Sequence, residues 1–505
     1  MNKTFFLFRN IFCKKAIAIF IFLFSVQGSF AATYYFSSST GKDNCSAAQA
    51  ESPLTPWKSI NKLNTLSNLA PGDSILFKKG DGWVGTLVPN CNGLIFGSYG
   101  TGAAPVINGG ASFAINISTS FESNLVFTGL VFKRTGSTGV VAQLGNIGFN
   151  TDVGITNCTI QGCSFWGSVI IQGSYNLFKN NIVNGATNDG NGNGIWEYSH
   201  QCNHNTYTGN TICYFTLRGI WTMIETNNCI FQDNIIHNCQ LCGLDLDGAY
   251  HLVYEHSVVD NTIYNTAHDA IDLENAFSCT IKGNYMFNGG HSYIYIINYS
   301  QCELLNGYGS ATGIGALLNS TLEGNVMNGG GVDYSSVAIG IYQAGGVNII
   351  NNTINGFVSR FLNLQYTSPS DVPRIRLVNN IFSNMATPSW YAMISFSTND
   401  LNILAEDDHN CFFNNGISDI YSDYTTYKLL SLAQYQAATG KAGHSIVANP
   451  IFISAANLHL QSSSPCIDAG MNVGLPYAGN APDIGAYESA PVDQGNKPVI
   501  VWRAN

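Results

Sequence analysis

Charge is scarce in this chain. Asp, Glu, Lys and Arg make up 10% of its 505 residues, where an ordinary globular protein has about a quarter. So few charges cannot clothe many exposed helix faces, which excludes a helical bundle and points to β structure. Proline is sparse at 14, while glycine reaches 52. No long apolar run follows the first 31 residues, which excludes a further membrane-spanning helix, and no membrane insertion is expected. Paired Cys-x-x-Cys motifs are missing too: Cys239-Gln-Leu-Cys242 stands alone, so no ordinary zinc ribbon is expected. Basic residues are outnumbered 21 to 31, an imbalance that argues against nucleic acid or anionic membrane as a partner.

The N-terminus supplies what the rest lacks. Lys3, Arg9, Lys14 and Lys15 precede the apolar run from Ala16 to Val26, and Ser29-Phe30-Ala31 closes it with small residues. That is the pattern of a secretory signal peptide over residues 1–31. Its removal leaves 17 basic against 31 acidic residues, a formal charge of −14, and thirteen cysteines. The expected product is a secreted or periplasmic monomer. In an oxidising compartment Cys45 and Cys91 could pair.

Residues 33–37 read as a first strand. Trp57, Ile60, Leu63 and Leu66 have helical spacing, and Pro71-Gly-Asp turns the chain into a strand at Ser74–Lys78. One short helix ahead of many strands suits the cap over the open end of a solenoid. From about residue 125 a repeat sets in. Asn followed by two mainly apolar or β-branched residues recurs at Asn181, Asn210, Asn234, Asn261, Asn284, Asn325, Asn352 and Asn380. The intervals are 29, 24, 27, 23, 41, 27 and 28 residues, about what a coil of three short strands and three turns needs; the 41 marks an insertion near Gln301–Leu318. Asn tolerates a left-handed turn and can hydrogen-bond to its copy one coil away, so the column reads as a turn ladder. Cys229 and Cys279, each five residues before a repeat Asn, read as an interior thiol column. The division expected is a cap and first coils over 32–124, a helix of coils over 125–420, and a C-terminal capping region over 421–505.

The third strand of each coil carries the chemistry. Cys242-Gly-Leu-Asp-Leu-Asp247 and His268-Asp-Ala-Ile-Asp-Leu-Glu274 alternate apolar and acidic residues, the pattern of a strand with one buried and one wet face. Asp245 and Asp272 are 27 residues apart, as are Asp247 and Glu274. On adjacent coils the four carboxylates would form a grid with spacings of ~4.8 and ~6.6 Å. Like charges so close need a cation, a shared proton or a substrate. In the same alignment Trp196, Trp221 and Tyr295 join the row of Asp245 and Asp272, as stacking surfaces for sugar rings. A one-residue slip at Trp196 would turn Glu197 outward instead.

The coil pattern resembles the right-handed parallel β-helix of secreted pectate lyases and related carbohydrate-active proteins over roughly residues 33–420. The tail around Ser464-Pro-Cys-Ile-Asp-Ala-Gly470 and Pro482-Asp-Ile-Gly-Ala-Tyr-Glu488 resembles endings that many such exported proteins carry. The resemblance implies an all-β chain, a single right-handed parallel β-helix with three strands per coil. Within it, His268-Asp-Ala-Ile-Asp272 is similar to the Asp-Asp-Gly-Phe-Asp run of polysaccharide lyase family nine, with Asp245 on the preceding coil. That likeness implies Ca²⁺ held by Asp245, Asp269 and Asp272, with His268 replacing the first Asp. The family's downstream base lysine has no counterpart, since residues 283–359 contain no Lys or Arg. Arg218 is placed to bind a substrate carboxylate or to pair with an acid, and His268 to serve in proton transfer. The expected activity is a Ca²⁺-assisted lyase on a polyuronide. Alternatives are a glycoside hydrolase using pairs drawn from Asp245, Asp247, Asp272 and Glu274, and a non-catalytic glycan-binding β-helix.

Overall fold

The computed structural model describes residues 31–135, 139–145, 153–185, 192–198, 202–223, 226–248, 253–297, 316–317, 319–333, 335–342, 344–365, 375–385, 392–396, 403–414, 419–423 and 428–489. The expected leader and most of the expected insertion lie outside them. Strands mostly of three to six residues stack on their counterparts one coil later, giving three long sheets of 14, 14 and 13 strands. Pairing within the coils is parallel, as in Leu244–Asp247 on Asp269–Glu274. An antiparallel pair, Tyr421–Asp423 with Lys428–Leu430, closes the third sheet. The expected parallel β-helix is the fold.

The N-terminal cap contains the expected helix at Ile60–Asn64, started by Ser59, and Trp57, Ile60, Leu63 and Leu66 are buried beneath it. A second helix, Ala47–Ala50, is held by a capping box between Ser46 and Gln49; at four residues it is too short to show a periodicity. The expected Cys45–Cys91 bond is not formed, and both thiols are free. Cys45 lies in the loop whose carbonyl caps the Trp57 indole at 2.8 Å. Cys91 rests instead against the Leu69 carbonyl.

The Asn ladder exists, but its members are not the left-handed residues. Those are the residues just before them: Asn180, Asp233, Asp260, Asn351 and Asn379, with φ of 54–59°. Each ladder Asn is instead buried and fully bonded. Asn234 sends its backbone N–H to Asn261 Oδ1 at 2.9 Å and its Nδ2 to the same oxygen at 3.0 Å and to Tyr207 O at 2.9 Å. A carboxamide alone offers one acceptor and two donors in a plane, so the turn needs that side chain as much as its backbone tolerance. A second inner column runs Asn176, Asn205, Cys229, His256, Cys279, Ser320; the expected thiols sit in it, with His256 Nδ1 accepting from Cys229 N at 3.2 Å. Between the columns the core stacks on itself, as in Phe178, Tyr207 and Phe231 at 5.3 and 5.2 Å.

Beyond the last coil the tail turns back along the second sheet. Asn379 grips the Met471 backbone at both its N–H and its carbonyl, and Ala486 N donates to Thr353 Oγ1 at 2.9 Å. Tail and sheet border an open cleft of about 1190 Å³, and none of the expected site residues lines it.

Candidate active site

Strand pairing on the third sheet places Trp196, Trp221, Asp245, Asp272 and Tyr295 in one row. Tyr198, Met223, Asp247, Glu274 and Ile297 form the row beside it. Leu244, Leu246, Ile271 and Leu273 belong to the core on the opposite face. Trp196 keeps the outward frame, so Glu197 does not join the acids but points into the coil. It is fully buried and accepts from Tyr207 Oη at 2.6 Å and Asn205 Nδ2 at 2.7 Å.

Burial pushes the Glu197 carboxyl from 4.5 up to about 7. Unfolded, it ionises near the ordinary value, so its contribution to stability is greatest below pH 4.5, falls as pH rises to about 7, and is lost above. That interval corresponds to ~3 kcal/mol. Glu197→Gln, which keeps an acceptor for Tyr207, is expected to flatten this slope and to unfold at higher urea than the parent at pH 8. Urea titrations at pH 5 and pH 8 measure it.

The acidic wall lies outside the core but is not wet. Asp245 and Asp269 are 0% exposed, Asp272 7% and Asp247 9%. Strand alternation shows which way a side chain points, not what lies over it. Here the cover is other side chains. Arg218 Nε pairs with Asp245 Oδ2, and its guanidinium lies 4.3 Å from the Trp221 ring centre. Trp221 in turn stacks on Trp196 at 5.3 Å and 13° and donates Nε1–H to Asp247 Oδ2 at 3.2 Å. With Trp196 and Arg218 both against its ring, Trp221 positions Arg218 and Asp247. Tyr295 packs on Tyr342 at 4.9 Å. Glu274 is partly exposed at the edge of the group.

His268 Nδ1 meets Asp269 Oδ2 at 2.5 Å, and the His268 ring stacks on His291 at 4.8 Å. The hydrogen bond to Asp269 holds His268 above the ordinary imidazole value, against the opposing effect of burial. Burial pushes Asp269 up, but hydrogen bonds from His268 and His291 outweigh it and hold the carboxyl low. Asp272 goes the other way: burial, then the charges of Asp245, Asp269, Glu274 and Asp247, raise it well above the carboxylate range. Burial also raises Asp245, with Arg218 opposing. At neutral pH and without a cation, this pair therefore retains a proton.

A cation has places to bind. Asp245 Oδ1 and Asp272 Oδ1 are buried without a hydrogen-bond partner among the described residues, and Asp269 Oδ1 has only His291 Nδ1, at 3.7 Å. The expected ligands do not form one tight set, however. Donor atoms of Cys242, Asp245 and Asp272 lie within 4.8 Å of one another, as do those of Cys242, His268 and Asp269. Carboxylate oxygens suit a hard cation; the Cys242 thiol, raised well above its usual range by burial, is a poor donor to one. Cys242 and His291 are the two members that sequence reasoning missed. The signal was there: Cys242 stands 27 residues before Asp269, and His291 stands 23 after His268, the intervals between the ladder asparagines of those coils.

Residues 145–308 match the family model described as "Right handed beta helix region", which supplies the hand of the coil. No curated protein matches. Among solved structures, the chain is similar to the Dettilon tailspike protein at 14% identity and a TM-score of 0.38, over 64% of each chain. It is similar to pectate lyase Pel9A at 16% identity and 0.37, over 91% of this chain and 97% of the other. The alginate lyase AlyGC, of the PL6 family, follows at 14% and 0.44, over 76% and 56%. At these identities the likeness is one of fold.

Proposed function

We propose that the acidic wall of the third sheet is the active site of a carbohydrate-active enzyme that cleaves a polyuronide by β-elimination. The observation that carries this is the pair of buried carboxylate oxygens, Asp245 Oδ1 and Asp272 Oδ1, left without partners beside Asp269. Uncompensated buried charge is costly, and a divalent cation removes the cost. Asp245 and Asp272, with Asp269 after a side-chain shift that brings its oxygens to theirs, would hold Ca²⁺, which when bound would draw electrons from the uronate carboxylate and make the adjacent C–H more acidic.

The chain's own residues do the rest. Arg218, fixed between Trp221 and Asp245, turns its remaining N–H groups to the uronate carboxylate. His268, steadied by Asp269, takes the proton from the carbon next to that carboxylate in its neutral form, which grows more abundant as pH rises through the raised imidazole value. The bond to the neighbouring sugar oxygen breaks as the double bond forms, and solvent protonates the departing oxygen. Asp247 and Glu274 accept from ring hydroxyls, while Trp196 and Tyr295 border the bound chain. Arg218→Gln is expected to raise KM for the polyuronide at least about tenfold, since a charge-assisted hydrogen bond contributes about 1.5–3 kcal/mol; initial rates over a substrate series measure it.

A second reading is favoured by one observation. Burial and its acidic neighbours favour the protonated form of Asp272, which has a carboxyl oxygen within 4.8 Å of one from Asp245, near the ~5–5.5 Å separation of retaining glycosidases. A polysaccharide panel assayed with and without chelator separates the two. Elimination gives products that absorb in the ultraviolet and is abolished by chelator. Hydrolysis gives new reducing ends without absorbance and is indifferent to chelator.

A further inference from the structure

Far along the coil from the acidic wall, the last strand of the first sheet, Leu404–Asp408, ends in a turn that breaks the ladder's habit. The left-handed position before each earlier ladder residue is Asn, Asp or Gly; before Asn410 it is His409, at φ 51°. Its ring stacks on His444 at 4.7 Å. Both imidazoles present Nδ1 to one oxygen, Asp408 Oδ2, at 3.4 Å for His409 and 2.7 Å for His444. His409 Nδ1 is buried and makes no hydrogen bond among the described residues. The carboxylate is itself fixed, with Oδ1 accepting from the backbone N–H of His409 at 3.0 Å and of His444 at 2.7 Å.

We propose that Asp408, His409 and His444 form a divalent transition-metal site of the zinc type, which clips the C-terminal segment to the last coil. Two imidazole nitrogens and a carboxylate oxygen are the donors zinc accepts, and ligands at ~2.0–2.1 Å on a tetrahedron stand ~3.3 Å apart. The contacts to Asp408 Oδ2 bracket that value. The His444 side chain is 71% exposed, so the fourth position faces solvent and takes water or an external ligand. A metal there joins the coil, through Asp408 and His409, to the segment that follows helix Leu432–Thr439. It gives the buried His409 nitrogen the partner it lacks. The donor set differs from the carboxylate-rich wall of the third sheet, and the two sites share no residue.

The test uses the full chain stripped of metal by chelator, with Zn²⁺ alone as the probe in calorimetry and in thermal unfolding. The parent is expected to bind one equivalent more than His444→Ala, and zinc is expected to raise its Tm by several degrees more than that of the variant. His409→Asn, which keeps a residue suited to the left-handed turn, is expected to weaken this equivalent by at least about 100-fold. Asp272→Asn is expected to retain it, which assigns the loss to the C-terminal site. Equal stoichiometry in the parent and His444→Ala, or no zinc bound by the parent, would overturn the proposal.

Discussion

Asp272→Asn is expected to lower kcat on a responsive polyuronide by about 10³-fold while making the cation-free protein more stable. The two effects have one cause. Asp272 sits among Asp245, Asp269, Asp247 and Glu274 with one oxygen unpartnered. Its charge is tolerable only when something positive shares the space. The amide has the same shape but neither the charge nor the full set of acceptor oxygens. It therefore removes an electrostatic element aimed at the reacting group, an effect that typically amounts to 10²–10³. It also removes the cost of burying a carboxyl that must keep a proton at neutral pH, so urea unfolding without Ca²⁺ is expected to shift upward by about 1 kcal/mol or more. Kinetics and unfolding read on the same preparation check both. Loss of activity together with loss of stability would mark Asp272 as a structural residue only.

Asn261→Ala is expected to cost about 3–5 kcal/mol. Asn261 Oδ1 accepts from the backbone N–H of Asn234 at 2.9 Å and from its Nδ2 at 3.0 Å. Asn261 Nδ2 donates to Phe231 O at 2.8 Å and to Asn284 Oδ1 at 2.9 Å. Truncation leaves two donors of Asn234 and the Phe231 carbonyl with fewer partners in a dry interior, at about 1–3 kcal/mol for each group left unpaired. Asn265, at the coil surface, donates to Asn238 Oδ1 at 3.1 Å and accepts from Asn288 Nδ2, but its groups stay within reach of water and Gly suits its φ of 54°, so Asn265→Gly is expected to stay within about 1 kcal/mol. The comparison of their urea midpoints isolates burial from residue type.

The fold was legible because a coil repeats its instructions. The Asn intervals set the register, and register alone placed Trp196, Trp221, Asp245, Asp272 and Tyr295 in one row. What resisted reading was everything that depends on distance between side chains of unlike type. Nothing in the spacing shows that Arg218 closes over Asp245, that Trp221 is sandwiched rather than open to a sugar ring, or that the wall is dry. Cys45 and Cys91 are a similar case: local contacts with Trp57 and Leu69 decide where each goes. The left-handed residue was placed one position late because Asn suits both roles, and only the hydrogen-bond partners tell the buried amide from the turn residue before it. Cys242 and His291 were readable from the repeat intervals, but neither residue type belongs to the acidic pattern that drew attention to their neighbours.

The central claim is that Asp245, Asp269 and Asp272 serve an elimination on an acidic polysaccharide. Mass spectrometry of oligosaccharides released from a polyuronide in the presence of Ca²⁺ tests it most directly. The account predicts products lighter by one water than the corresponding hydrolysis fragments, formed about 10³-fold more slowly by the Asp272→Asn protein. Fragments carrying the added water, or an intact polymer with the native protein and Ca²⁺ present, would contradict it.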